Sequence, residues 1–513
     1  MRTPALVLIA FGCMAAEPRR IVNTFELTPA EGTAEIEWVS QSTFRFARSW
    51  GARTGARKHV TLKPVIVEVN SGAFATRYLR VAADESGDIV KIATAGGVPV
   101  TELRVRRDGG HVVVEQPARN PERFFGLGAR GGGKLDVRGM VVTTRDPFLM
   151  SGAGYGEYFT IPGEYTFDVA AAEPRTVNVT APGDRVEMFF YYGPGMKEIY
   201  EEHMGATGPV DEFGPLDFAV RDSKGAAGAG SWDALGQALR ALLNASLSAK
   251  LLPAFDLAEF ARSDDAVAAR AAEIASVMPV LYAPAAGAFE ARRRRFEPYL
   301  LSYTREARDR GFPVVRPLVV DHAQDAAASG RTDEFLLGDE LLVAPVLGPA
   351  REIKVYFPKG IWTDLNTGAT YKGREQAAVR TAPGVLPIFA RNGTIVPLRA
   401  EEGEVLELHY FPSLGAEFFL DEESDPEVSQ FHAAPAGDLI RLETESKADR
   451  VYEWVIHHSA GCRSVESGGA EFRRVEDRSQ LAPGSWHFDA KGKLLRVRVR
   501  SVAGGDEIVN VRM

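Results

Sequence analysis

The sequence contains very little cysteine. It has two cysteines in 513 residues, and Cys13 lies in an apolar N-terminal stretch, so a processed chain would keep only Cys462. One cysteine cannot form a disulfide framework or a cysteine-ligated zinc site. The adjacent histidines His457 and His458 would point to opposite faces of a strand, which is poor geometry for joint metal binding. We therefore predict no metal site and no cofactor.

Runs of positive charge are scarce as well. The formal net charge is −9, and the one polybasic run is Arg292–Arg295. Apolar residues follow this run at helical spacing, so we interpret it as the solvated face of a helix. A chain with this charge balance is not expected to bind nucleic acid.

Long apolar runs are confined to the N-terminus. Arg2 precedes an apolar stretch from Ala5 to Ala16, which is too short to span a membrane and ends in small residues. This pattern predicts a signal peptide over residues 1–16, cleaved after Ala15 or Ala16. We therefore expect export to the periplasm or the extracellular space, with no transmembrane helix.

The remaining chain predicts a multidomain α+β protein. Alternating apolar and polar residues separated by turns predict an N-terminal β-sandwich of the galactose-mutarotase type over residues 21–207, with a first helix ending at Gly205. Residues 208–333 show four strand–helix units, the last with a strand in "FPVVRPLVV", which indicates parallel β/α architecture. Two β domains follow, a proximal one over residues 334–400 and a distal one over residues 401–513.

Six motifs in this order resemble glycoside hydrolase family 31, which includes α-glucosidases and α-xylosidases. They are "RFFGLGARGGGKLDVRG", "PFLMSGAGYGEYF", "FFYYGPGMKEIYEEHMGATGP", "PYLLSYTREARDRGFPVVRPLVV", "FLLGDELLVAPVL…KVYFPKGIWTDLNTGATYKG" and "LPIFARNGTIVP". Each motif alone is explained by turn and core chemistry, but together they follow the order of the family along almost the whole chain. The resemblance implies an α-glycosidase fold in which an eight-unit barrel carries the chemistry.

The catalytic carboxylates of that family are missing from this sequence. An eight-unit barrel takes about 250 residues, and the β/α region here is roughly half of that. The family's nucleophile motif, Trp-x-Asp-Met-Asn-Glu, does not occur, and Ala227 stands five residues before Trp232, where the family has its acid/base Asp. Retaining hydrolysis needs both carboxylates. The resemblance therefore implies a truncated half barrel and a catalytically inactive protein.

Four residues match substrate-binding positions of the family, namely Asp256, Arg221, Arg270 and Asp146. Asp256 follows a strand, where a β/α barrel holds its ligands, although a turn or helix-capping carboxylate explains it equally well. For Arg221 an ion pair with a nearby carboxylate is the structural alternative, and for Asp146 it is a turn before a proline.

Two functional hypotheses remain open at this point. The first is an inactive scaffold with weak carbohydrate binding, in which the open edges of the half barrel pair with a second copy or with another chain. The second is an active α-glycosidase with substitute carboxylates, for which the candidates are Asp217, Asp222, Asp256 and Glu259.

Overall fold

The computed structural model describes residues 19–21, 23–51, 65–70, 73–208, 220–222, 228–283, 287, 289–401, 403, 405–421 and 428–513. The predicted signal peptide lies outside these residues. The protein is β-rich and multidomain, with five α-helices in the described part of the chain. None of the helices described has the length and apolarity that a membrane span requires.

The described residues form two compact units. The first draws on Met1–Phe124, Val137–Pro194 and Gly205–Gly208, and the second draws on Phe125–Asp136, Gly195–Met204 and Pro209–Met513. The predicted β/α region and the two predicted C-terminal β domains therefore lie in the second unit. This holds for each of their described residues except Gly208.

Two large antiparallel sheets of the described residues belong to the first unit, apart from Phe125 and Gly126 at the end of one of them. One consists, in spatial order, of the strands Arg19–Ile21, Thr24–Leu27, Thr33–Trp38, Thr43–Ser49, Arg185–Tyr192, Tyr155–Phe159, Phe148–Ser151 and Phe124–Gly126. The other consists of Met140–Thr144, Tyr165–Val169, Thr176–Pro182, His111–Pro117, Pro99–Asp108, Ile89–Thr94, Leu79–Ala83, Ala73–Ala75 and Glu68–Asn70. Burial alternates along strands such as Thr176–Pro182, as expected where one face of a sheet packs on a core.

Within the described residues, five α-helices interrupt the strands. They are α1 (Met196–Thr207), α2 (Trp232–Leu247), α3 (Asp265–Ala275), α4 (Phe289–Arg310) and α5 (Leu318–Asp321), with short 3-10 helices at Leu257–Phe260 and Arg478–Gln480. Ser231 caps the start of α2, since its hydroxyl accepts a hydrogen bond from the amide of Ala234. Gly311 follows α4 with a φ of +78°, a conformation that glycine adopts without strain. The predicted end of α1 at Gly205 is wrong, because the helix continues to Thr207 and the left-handed glycine is Gly208.

The parallel sheet of the second unit has three described strands. Their spatial order is Val220–Asp222, Val280–Ala283 and Ala254–Asp256, so the last strand in sequence lies in the middle. The predicted fourth strand behaves differently, because Val315–Pro317 pairs antiparallel with Phe335–Leu337. Its residues are fully buried, and α5 begins directly after them, so this segment joins the first C-terminal sheet instead of the parallel one.

The described residues of the C-terminal part form four further sheets. A six-stranded sheet has the order Val315–Pro317, Phe335–Leu337, Leu341–Val343, Ile388–Arg391, Ile361–Asp364 and Thr370–Lys372, beside a pair formed by Glu352–Phe357 and Glu375–Arg380. Trp362, Phe357 and Phe389 lie in the core between them.

The distal sheets have six strands each. One has the order Thr394–Arg399, Leu406–Phe411, Arg450–Ile456, Leu494–Ser501, Ser485–Asp489 and Arg473–Arg474, and the other has Ala416–Leu420, Ser429–Ala436, Leu439–Ser446, Gly505–Arg512, Ser464–Ser467 and Ala470–Glu471. The strand Thr394–Arg399, predicted as the end of the proximal domain, pairs with Leu406–Phe411 and so begins the distal sheet. Helix α4 packs against this strand.

The arginine run on α4 is not simply a solvated face, which corrects the sequence interpretation. Arg294 is exposed, but Arg293 is buried and its guanidinium donates hydrogen bonds to the carbonyls of Met278 and Pro279. The apolar residues that follow the run at helical spacing lie in the core, since Tyr299 and Tyr303 are buried.

Gly373 allows a close approach of two backbone segments in the proximal sheets. A Cβ atom there would overlap the carbonyl oxygen of Pro358 and lie 2.5 Å from the amide nitrogen of Gly360. We expect Gly373→Ala to lower the free energy of unfolding by about 1–3 kcal/mol, the typical range for overpacking. Gly348→Ala is the matched control, because no atom lies within 4 Å of the position that its added methyl group would take. Urea denaturation measures both, and equal changes would contradict this account of Gly373.

Candidate functional site

The carboxyl ends of the three parallel strands bring two of the predicted site residues into one row. Arg221 and Asp256 are both in register with Tyr282 of the central strand. Neighbouring strands lie about 4.8 Å apart, so the backbones of Arg221 and Asp256 are about 10 Å apart across the sheet. The side chains of Arg221 and Asp222 lie outside the described residues, as do Asp217 and Ala227.

Asp256 has a local structural role. Its carboxylate accepts a hydrogen bond of 3.0 Å from the amide of Ala258 and caps the 3-10 helix Leu257–Phe260. Such capping satisfies an amide that the helix itself leaves without a partner. Glu259, the neighbouring substitute candidate, is exposed. The capping alternative for Asp256 therefore describes its contact correctly.

The segment before α2 is held against this 3-10 helix by backbone hydrogen bonds. The amides of Gly228 and Gly230 donate to the carbonyls of Ala258 and Glu259 at 2.9 and 3.1 Å. A Cβ atom on Gly228 would lie 2.5 Å from the Glu259 carbonyl oxygen. Gly228 and Gly230, which follow the family's acid/base position in the sequence, thus make main-chain contacts with the 3-10 helix.

Arg270 is buried and has several partners within the second unit. Its guanidinium forms a 2.8 Å ion pair with Glu273, one turn later on α3, and it donates to the carbonyls of Ala382 and Val385. Glu273 also accepts a hydrogen bond from the amide of Gly384. These contacts connect α3 to the loop before the strand Ile388–Arg391.

Asp146 belongs to the first unit. The Thr144 hydroxyl accepts a hydrogen bond from its amide at 2.9 Å, and its carbonyl accepts one from Phe148, which is the turn geometry that the sequence suggested as the alternative. Among the described residues, no group of three or more His, Cys, Asp or Glu side chains is arranged to hold a metal ion.

A second polar centre lies in the distal sheet, and the sequence analysis missed it. His409 Nδ1 is 3.0 Å from His457 Nε2, and His409 Nε2 is 2.9 Å from a carboxylate oxygen of Glu407. Burial lowers the pKa of both histidines, so they are neutral near pH 7. In this state His457 donates to His409, which donates to Glu407.

Arginines complete this centre. The Glu407 carboxylate contacts Arg295 at 2.9 Å, Arg478 at 2.8 Å and Arg496 at 3.2 Å. Burial alone would raise the pKa of Glu407, but the hydrogen bond from His409 and the arginine charges hold it below its ordinary value. The i, i+2 spacing of Glu407 and His409 was visible in the sequence and places both side chains on one face of a strand.

A buried carboxyl in the second unit predicts a pH effect on stability. Glu340 accepts hydrogen bonds from Tyr299 and Tyr303 at 2.8 and 2.5 Å, and burial raises its pKa to about 7. An unfolded glutamate ionises near about pH 4.3. Between these values the folded state binds the extra proton, so stability falls as pH rises from about 4.3 to about 7 and then levels off.

We expect Glu340→Gln to remove this part of the slope. The amide keeps an acceptor for the tyrosine hydroxyls but does not titrate. Urea denaturation midpoints measured from pH 5 to pH 8 should decrease less in the variant than in the wild type. Glu352→Gln is the control, since that side chain is exposed. Parallel curves for the wild type and Glu340→Gln would exclude this role of Glu340.

Comparisons with known proteins agree with this architecture. Residues 311–396 match the glycosyl hydrolase family 31 C-terminal domain. The alpha-glucosidase 2 of Bacillus thermoamyloliquefaciens is 28% identical over 214 residues, which cover 37% of this chain and 27% of that protein. The human neutral alpha-glucosidase AB is 36% identical over 103 residues, which cover 20% of this chain and 11% of the relative. These matches thus span about a quarter or less of the curated relatives.

Solved structures show the same fold at low identity. A family 31 dextranase of Flavobacterium johnsoniae complexed with glucose superposes with a TM-score of 0.83 at 15% identity, covering 96% of this chain and 98% of that chain. A family 31 α-xylosidase of Xanthomonas citri superposes with a TM-score of 0.69 at 12% identity, covering 96% and 100%.

Proposed function

Because the chain belongs to glycoside hydrolase family 31, we propose that it is a catalytically inactive member of that family. The observation that carries the proposal is the carboxyl edge of the parallel sheet. The two substitute carboxylates described there are Asp256, which caps a 3-10 helix, and Glu259, which is exposed. A retaining mechanism needs two carboxylates about 5 Å apart, one as nucleophile and one as acid.

The β/α region is, in this proposal, a remnant of the family's barrel. A closed barrel has eight strands, whereas the described part of the parallel sheet has three. The middle position of Val280–Ala283 supports a rearranged remnant, since consecutive strands would be neighbours in a barrel.

A scaffold or partner role follows from the edges of this sheet. Within the described residues, Val220–Asp222 and Ala254–Asp256 each pair on one side only. Such edges can pair with another strand, so we propose that a second copy or another chain covers them. We retain weak carbohydrate binding as a secondary role, and export after cleavage near Ala15 or Ala16 as the location.

A sugar-binding role without a partner is the competing candidate. Sugar sites use exposed aromatic faces together with a few polar anchors. Tyr299 and Tyr303 are buried and cannot form such a platform, whereas Trp232 and Tyr282 are partly exposed. The aromatic residues of the remnant thus give little support to tight sugar binding.

One pair of measurements separates the two roles. We expect size-exclusion chromatography with light scattering to show a dimer or larger assembly, and titration with malto- and xylo-oligosaccharides to show weak binding or none. A monomer that binds an oligosaccharide tightly would reject the scaffold role. Turnover of an aryl α-glycoside that is lost in Asp256→Ala or Glu259→Ala would instead support an active α-glycosidase with substitute carboxylates.

A further inference from the structure

A cavity of about 1200 Å³ lies within the second unit, and its wall carries an excess of positive charge. Helix α4, the proximal sheets and the distal strands contribute to it. Five arginines line the cavity against two glutamates; the arginines are Arg292, Arg294, Arg295, Arg399 and Arg496, and the glutamates are Glu297 and Glu401. Neither Asp256 nor Arg270 is among the described residues that line it.

The excess remains after the ion pairs around the cavity are counted. Arg399 is bound to Glu297 at 2.7 Å. The Glu407 carboxylate contacts Arg295, Arg478 and Arg496. The Glu453 carboxylate contacts Arg496 and Arg498. These two glutamates therefore balance only part of the charge of the four arginines. Among the described residues in and behind the wall, seven arginines therefore face four glutamates, a local net charge of +3 on a chain whose net charge is −9. His409 and His457 add no charge near pH 7.

Two of the lining arginines lack a carboxylate partner among the described residues. Arg292 donates to the Gly384 carbonyl at 2.8 Å and to the Ser276 hydroxyl at 3.3 Å, both of which are neutral acceptors. Arg294 is exposed and makes no hydrogen bond or ion pair with any described residue. Glu273, whose field reaches Arg292, is itself bound to Arg270. A charged group with only neutral partners favours an anion as its ligand.

The size of the cavity indicates what kind of anion it accommodates. Sites for small molecules usually measure about 300–1,000 Å³, so this cavity has room for more than one sugar or phosphate unit. Guanidinium groups bind carboxylate, sulfate and phosphate with two parallel hydrogen bonds. We propose that this cavity binds an oligomeric anion, whose oxyanion groups are held by Arg292 and Arg294. The proposal does not depend on whether the protein hydrolyses glycosides.

Calorimetric titration with three ligands tests this site and identifies the source of the oxyanion. Hexagalacturonate carries carboxylates, tripolyphosphate carries phosphates, and maltohexaose is a neutral oligosaccharide of the same length as the first. At low salt we expect binding of one or both anions and none of maltohexaose, and we expect the affinity to fall as salt is added. Binding of hexagalacturonate alone identifies an acidic saccharide as the ligand class, and binding of tripolyphosphate alone identifies a phosphate compound.

Variants on α4 locate the site. The double variant Arg292→Ala/Arg294→Ala should weaken the affinity about tenfold or more, as the loss of charge-assisted hydrogen bonds predicts. Arg294→Glu gives an independent test, because its exposed position does not affect packing. Arg308→Ala is the control: it removes an arginine paired with Asp309 on the same helix and outside the cavity wall, and it should bind normally. Absence of anion binding in the wild type, or unchanged affinity in Arg294→Glu, would overturn the proposal.

Discussion

The purified protein is expected to release no aryl alcohol from aryl α-glucosides or α-xylosides above the uncatalysed rate. Active enzymes accelerate such reactions by at least about a millionfold, so the difference from an active relative is large. The physical reason is the missing pair of carboxylates. The sequence lacks Asp-Met-Asn-Glu, and Ala227 stands at the acid/base position of the family. An alanine cannot attack the anomeric carbon or protonate the leaving oxygen.

Asp256→Ala and Glu259→Ala should leave this baseline unchanged. Asp256 is engaged by the amide of Ala258, so its removal should affect the 3-10 helix at Leu257–Phe260 and not chemistry. The assay needs a family enzyme as the positive control, to show that the substrates are suitable. Turnover in the wild type that disappears in either variant would contradict the inactive assignment.

The second large effect concerns stability. We expect Glu407→Ala to lower the free energy of unfolding by about 3–5 kcal/mol, the cost of breaking a buried ion-pair network from one side. The side chain of Glu407 is 2% exposed, and its removal leaves Arg295, Arg478 and Arg496 with less compensating charge. His409 would also lose its acceptor. Glu407→Gln should cost less, because the amide oxygen still accepts hydrogen bonds.

An exposed ion pair provides the control for this measurement. Glu352 lies 3.9 Å from Arg380, with side chains that are 57% and 94% exposed. Pairs of this kind contribute about 0–1 kcal/mol, so Glu352→Ala should have little effect on urea denaturation. If Glu407→Ala and Glu352→Ala unfold at the same urea concentration, the buried network is not a major source of stability.

The sequence was sufficient for features that depend on local chemistry. The alternation over residues 21–207 predicted β-strands, which form antiparallel sheets, and Ser231 and Gly311 are residue types that favour a helix start and a helix end. These features are set by side-chain alternation, capping and the conformational freedom of glycine. The parallel strands at Ala254–Asp256 and Val280–Ala283 were also visible as short apolar runs.

Strand partners were harder to predict, because they depend on contacts distant in sequence. An apolar strand such as Val315–Pro317 fits a parallel or an antiparallel sheet equally well, and only its pairing with Phe335–Leu337 decides between them. The pairing of the strand Thr394–Arg399 with Leu406–Phe411 likewise depends on contacts that a domain boundary near residue 400 does not specify.

The site residues show the same limit. Asp256 and Arg221 were predicted from the resemblance, and the sheet brings their backbones into one row. The centre formed by Glu407, His409 and His457 depends on two strands separated by about forty residues of chain, so only the i, i+2 spacing within one strand could be seen beforehand. The arginines that neutralise Glu407 lie outside its strand, so the sequence did not show that they meet it.

Trapping with a fluorinated substrate tests the inactive assignment most directly. 5-Fluoro-α-glucosyl fluoride reacts with a carboxylate nucleophile and leaves a glycosyl ester that is hydrolysed slowly. Intact-mass spectrometry detects this ester directly, so the test does not depend on how fast the second, hydrolytic step runs. We predict that the protein keeps its unmodified mass after prolonged incubation, while an active family member becomes labelled. A stoichiometric mass increase of one fluoroglycosyl group, mapped to Asp217, Asp222, Asp256 or Glu259, would contradict the assignment and identify the nucleophile.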